Sequence, residues 1–196
     1  DIVMNRPLFK YKSLHSFEYF IDIVLNKRLY GSKYLDLNDP FEAYILGSGI
    51  DKRIYEERSQ ARICSASQTP LNELMWAHYA DGHRGYCVEF VPNSKKWDII
   101  KVEYKDTLEE ISNNTPINEI LKRKLKPWEY EQEVRCIRLV NSSERRSNYM
   151  PIKINKIYLG IKMSRTQKAF IKNLVNKIDN RIVVIDVTKE DLLNKK

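Results

Sequence analysis

Residues 128–135 read WEYEQEVR, placing Glu131 and Glu133 two positions apart with Arg135 at the next even step. In an extended chain alternate side chains share a side, so a strand reading puts Glu131, Glu133 and Arg135 in one row with Ile137 and Leu139. A row that turns from aliphatic to acidic marks a strand leaving the core or entering a cleft. Carboxylates there are partly desolvated and answered by neighbouring cations. One chemistry that suits paired carboxylates beside a lysine is holding magnesium for a nuclease. The non-catalytic reading is a strand end whose glutamates pair with Arg135 and nearby lysines, and spacing alone favours it.

Other chemistry-bearing residues read more quietly. His78 falls on the apolar face of an expected helix, where a histidine usually hydrogen-bonds within the core. Cys64, Cys87 and Cys136 are far apart, each in an apolar strand-like run, and read as reduced core residues. There is no C-x-x-C pair, and no metal is expected. P-loop, dinucleotide-fingerprint, zincin and hydrolase-elbow motifs are all missing, which removes those classes. Trp76 and Tyr79 lie three apart, as an aromatic wall for a planar ligand would, though core packing is the commoner use of such spacing. Asn38, Asp39 and Glu42 in LNDPFEA are accounted for by turn and cap duties.

Periodicity predicts the elements that position these residues. FEYFIDIVLNKRL sets Phe17, Phe20, Ile21, Val24 and Leu25 at helical spacing behind Ser16. LNDPFEA predicts a turn opening a short helix. ARICSAS is strand-like. TPLNELMWAHYADGH predicts a helix from Thr69 and Pro70 to Asp81-Gly82, with Leu71, Leu74, Met75 and His78 on one face. GYCVEFV predicts a strand that KVEYKD pairs with or follows, and INEILKRKL a helix ending at Pro127. EQEVRCIRLV, NKIYLGIK and RIVVIDV are further strands, SRTQKAFIKNLVNKI is a helix capped by Ser164, and NSSERRSN, 141–148, is a surface loop. The irregular order predicts an α+β fold: one domain over 1–196, with a mixed or antiparallel sheet and packed helices.

Length and composition agree: 196 residues, 42% of them hydrophobic, suffice for one substantial core. No apolar run reaches about eighteen residues and no signal peptide opens the chain, so no membrane partner and a cytoplasmic location are expected. A net charge of +8 permits attraction to nucleic acid. The visible basic runs are KRKLK at 122–126 and the ERR of 144–146.

The ordered blocks LFKYKSL, LNDPFE, ICSAS, LMWAHYADGHRGYCVEF, VEY, K-x-x-x-WEYEQEVR and IYLG resemble the bacterial family catalogued as domain of unknown function 2971, over residues 8 to about 187. That family name carries no activity. The same progression, from a KY-type strand through an aromatic-bearing central helix to a late strand with E-x-E, resembles the ADP-ribosyltransferases. The resemblance implies a split sheet clamping NAD, with Lys10 and Tyr11 by the nicotinamide ribose, Tyr79 or Trp76 stacked on nicotinamide, and Glu133 as the catalytic glutamate. The first block departs from the pattern: it has no histidine, and Lys12 stands where arginine is frequent. Glu131 would serve the acceptor, and Arg135 and Arg84, or Lys10 and Lys12, the pyrophosphate. Such an enzyme would be a toxin or anti-phage effector, with a neutralising partner protein among its expected partners. The competing expectations are a non-catalytic module binding nucleic acid or a partner protein through KRKLK, Arg145 and Arg146, and the magnesium nuclease of Glu131 and Glu133.

Overall fold

The computed structural model describes residues 6–41, 44–140 and 148–194. Glu42, Arg145, Arg146 and the expected loop up to Ser147 lie outside the described residues. The first elements are β1 (Leu8–Lys12), α1 (Phe17–Asn26), β2 (Arg28–Tyr30), α2 (Lys52–Gln60), β3 (Ala61–Ser67), α3 (Glu73–Tyr79) and β4 (Tyr86–Pro92). There follow β5 (Asp98–Lys101), β6 (Glu103–Lys105), α4 (Ile117–Leu121), β7 (Arg123–Leu125), β8 (Glu133–Leu139), β9 (Tyr149–Leu159), α5 (Arg165–Ile178), β10 (Val183–Asp186) and α6 (Lys189–Leu193). The fold is α+β, with a mainly antiparallel sheet and helices. The chain divides into two compact units: Asp1–Leu29, Ala66–Asn93 and Pro151–Lys196 form unit 1, and Tyr30–Ser65 with Ser94–Met150 form unit 2. Among the described residues no helix is long and apolar enough to cross a membrane.

In unit 1 the strand order is β10-β9-β4-β1, with β10 parallel to β9 and the other pairs antiparallel. The Phe20 ring of α1 meets Tyr86 of β4 edge-on at 4.8 Å, and Phe17 meets Phe170 of α5 at 5.8 Å. α1 buries Phe20 and Val24 of the expected stripe together with Ile23, whereas Phe17 and Ile21 are half-buried, Leu25 is 59% exposed, and Ser16 makes no side-chain cap bond. Ser164 does cap α5, in a reciprocal box with Gln167.

Unit 2 packs Ile54, Ala61, Ile63, Ile117, Ile120, Leu121 and Ile137 into one aliphatic core. Its strands run in the order β3-β8-β5, and β6 pairs with β7 separately, in parallel. Cys64, Cys87 and Cys136 are buried and form no disulfide among the described residues.

Several sequence expectations give way. No helix begins at LNDPF: Asp39 Oδ1 accepts from the Phe41 amide at 2.9 Å, closing a turn, and the next helix waits for Asp51, whose side chain caps α2 through Arg53. Asn72, not Thr69, caps the central helix, which runs for only seven residues. Thr69 instead accepts from Leu71 in a local turn, 3.2 Å away. The helix face is Met75 and Trp76, whereas Leu74 and His78 are exposed, so His78 is no core histidine. The RKL of the expected helix is the strand β7, because β6 offers it a backbone ladder.

Candidate functional site

The WEYEQEVR cluster assembles in unit 2 from three short pieces of chain. In β7 alternation turns Lys124 inward to 6% exposure, leaving Arg123 and Leu125 half-buried. A 3-10 helix over Lys126–Glu131 follows, with Pro127 in its first turn. Gln132 then takes the left-handed conformation, φ 46°, and β8 opens at Glu133. Glu131 is therefore not on the strand. It reaches the same spot as Glu133 from the end of a turn rather than by strand alternation, which corrects the shared-row expectation.

Lys124 Nζ donates to Glu131 Oε2 at 2.5 Å and to Glu133 Oε2 at 2.9 Å. Arg135, wholly buried, donates through Nε to Glu133 Oε1 at 2.9 Å, through Nη2 to Oε2 at 3.2 Å, and through Nη1 to the Leu121 carbonyl. Ser65 also hydrogen-bonds Glu133. The Glu133 amide donates to Tyr104 Oη at 2.8 Å. Over the lysine lies Trp128, its ring centroid 4.9 Å from Nζ, with Tyr130 tilted 31° to it at 6.3 Å. Both rings are half-exposed.

The quartet balances two carboxylates against two cations. Burial pushes the Glu133 carboxyl up, but the charges of Arg135 and Lys124 and the bonds from Arg135 and Ser65 outweigh it and hold the group well below the usual carboxylate range. Burial, then the negative charges of Glu133 and Glu131, push the Tyr104 hydroxyl up to about 12. Both Glu133 oxygens are engaged, so Glu133 is a fixed anion and a poor proton acceptor. A magnesium ion would have to displace Lys124 from both acids, and among the described residues no group of three or more His, Cys, Asp or Glu is arranged to hold a metal.

Sequence reasoning missed Lys124, Tyr104, Trp128 and Tyr130 as site residues, although K-x-x-x-WEYEQEVR contains three of them. It also read KRKLK as a basic surface, whereas Lys124 of that run is buried and its neighbours have local partners. Lys122 pairs with Glu103 at 2.8 Å and Glu119 at 2.7 Å, Lys126 with Asp106 at 3.3 Å, and Arg123 donates to the Glu109 carbonyl at 3.3 Å.

The other candidates belong to unit 1. The structure brings Tyr11 and Trp76 together, edge to face at 5.2 Å. Trp76 is 0% exposed, so no ring face is open to a ligand, and its Nε1 donates to the Pro70 carbonyl at 2.8 Å. Tyr11 Oη donates to the Thr69 carbonyl at 2.7 Å and accepts from the Asn72 amide at 3.3 Å. The two rings thus hold the loop that caps α3. Lys10 and Lys12, in register with Val88 and Tyr86, point to the opposite side of β1 from Tyr11, so the three do not form one cluster. Tyr79 lies 6.5 Å from the His78 ring, and Arg84 is exposed with Nη1 3.4 Å from the Asp81 carbonyl. A shallow groove of about 560 Å³ in unit 1 is lined by Leu25, Lys27, Lys177, Asp179 and Arg181 among others, and holds none of the candidates.

Comparisons with protein-family models, curated proteins and solved structures find no match.

Proposed function

We propose that this chain is an NAD-consuming enzyme of the ADP-ribosyltransferase kind, with Glu133 as the carboxylate that stabilises the reacting ribose. The observation that carries the reading is the burial of an ionised Glu133 at 3% exposure, beside a second carboxylate bound to the same lysine. In the reaction the bond between ribose C1 and the nicotinamide nitrogen breaks and its electron pair leaves with nicotinamide. C1 becomes cationic and is taken by an acceptor nucleophile, whose proton passes to Glu131 or to water. A fixed anion in a water-poor site opposes such a developing cation more strongly than it would in water.

The resting quartet is neutral and closed, so substrate must first draw one cation away. Lys124 is the mobile member. Its ammonium rides on a flexible four-carbon stem, whereas Arg135 is anchored at the Leu121 carbonyl and wholly buried. With Lys124 turned to the substrate's pyrophosphate, Glu131, Glu133 and Arg135 keep a net charge of −1 for the ribose cation. The half-exposed Trp128 and Tyr130 rings offer a face to a planar base beside it.

The test is nicotinamide release from NAD, with and without protein or nucleic-acid acceptors, comparing wild type with Glu133→Gln at a temperature where tryptophan emission shows both folded. Release that falls at least about 100-fold in the folded variant supports the assignment. No release by wild type under any condition, or an unchanged rate in Glu133→Gln, overturns it.

A further inference from the structure

The chain's positive charge is segregated. Unit 1 holds 17 lysines and arginines against 10 aspartates and glutamates, a net +7, whereas unit 2 holds 17 against 16, a net +1. The excess therefore does not lie with KRKLK.

Within unit 1 a part of it is ordered along α5. Arg165, Lys168 and Lys172 recur at i, i+3 and i+7, which places them on one side of the helix, and Lys162 precedes the Ser164 cap by two residues. Lys172 Nζ binds Asp186 Oδ2 at 2.9 Å, so this side of α5 runs beside β10, the end strand of the unit 1 order. Lys162, Arg165 and Lys168 take part in no ion pair among the described residues, and the first two are exposed. The apolar residues of α5 lie elsewhere: Ile171 and Val175 are buried, and Phe170 meets Phe17. Phe170 is 55% exposed but lies about half a turn from the cations, and the exposed residues beside the stripe, Ala169 and Asn173, offer no apolar anchor of the kind a membrane-surface helix needs.

We propose that unit 1 binds nucleic acid along this stripe, with Lys162, Arg165, Lys168 and Lys172 on backbone phosphates. From Arg165 to Lys172 the helix advances about 10 Å, a length over which a duplex presents about six phosphates. Such contacts read charge and not sequence, so binding is indifferent to base order and steep in salt. The inference does not depend on the NAD reading and would stand if that failed.

The test is fluorescence anisotropy of labelled single-stranded and duplex 20-mers of unrelated sequence, between 50 and 200 mM salt, with wild type, Arg165→Glu/Lys168→Glu and Lys95→Glu/Lys96→Glu. The two variants change net charge equally, and Lys95 and Lys96 are exposed residues of unit 2. Acidic residues in the first turn of α5 suit the helix dipole, so the first variant is expected to keep its fold, and circular dichroism checks this. We expect Arg165→Glu/Lys168→Glu to weaken binding at least about tenfold at 100 mM salt and to flatten the salt slope by about two, with the control shifting affinity less than about threefold. Equal losses in both variants would show a diffuse charge effect and overturn the stripe. So would the absence of oligonucleotide binding at 50 mM salt, or binding confined to vesicles containing phosphatidylserine.

Discussion

Replacing Lys124 by methionine keeps the length of the side chain and removes the ammonium that answers both carboxylates. Glu131, Glu133 and Arg135 then carry −1 at exposures of 3%, 3% and 0%, and breaking a buried pair in this way destabilises a protein by about 3–5 kcal/mol. The pH dependence gives a sharper sign. In the wild type the folded-state pKa of Glu133 is depressed, so its contribution is present above the ordinary carboxylate range and is lost as pH falls through the folded value. In Lys124→Met one of two neighbouring buried acids is expected to rise above its unfolded pKa. That group favours the folded state only when protonated, so the variant's deficit should shrink as pH falls from about 7 to about 5, by up to about 1.4 kcal/mol per pH unit. Urea unfolding followed by tryptophan emission reads this directly, because Trp128 lies 4.9 Å from the lysine nitrogen. Removing a second charge, in Lys124→Met/Glu131→Leu, should recover most of the loss, since Glu133 and Arg135 remain as a neutral pair. A deficit under about 1 kcal/mol, a deficit equal at both pH values, or a double variant no more stable than the single one would refute the neutral-quartet reasoning.

Gly160→Ala should destabilise by about 3 kcal/mol or more by thermal unfolding, because an added Cβ would lie 2.2 Å from the His83 carbonyl oxygen, a backbone atom with little room to retreat. Gly49→Ala, with nothing within 4 Å, is the comparison and should cost only the strain of its φ of +68°. Ser164→Ala removes the cap of α5 and should cost about 1 kcal/mol, a fall in Tm of about 2–4 °C in circular dichroism.

Legibility of the fold followed the length of the periodic segments. The fourteen residues of α5 repeat their apolar pattern often enough to fix a helix and its cap. By contrast KRIYEERSQ buries only Ile54 and is supported by pairs such as Lys52 with Glu56 and Arg53 with Glu57, so α2 left no apolar stripe to read. At LNDPF and at Thr69 the sequence offered good cap residues, and the chain used their side chains to close local turns. A cap signal names a residue able to satisfy a backbone amide. It does not say whether a helix follows.

The site was legible for a reason different from the one that forms it. Two acids two positions apart suggested a strand row, yet Glu131 arrives from a 3-10 helix through the left-handed Gln132, and only Glu133 and Arg135 share the strand. What makes the acids converge is Lys124, and a three-residue strand shows a single alternation, too little for any period to reveal. Its inward turn depends on β6, twenty residues earlier, pairing Tyr104 with Lys124. The dull and the catalytic readings of WEYEQEVR therefore divide at one side chain. With its ammonium in place the cluster is a neutral strut between β7 and β8; with that ammonium drawn to an anionic ligand, the same residues hold an uncompensated negative charge out of water. Because Lys124 bonds to both acids, any ligand that moves it must supply comparable negative charge, which a pyrophosphate does and a neutral sugar does not.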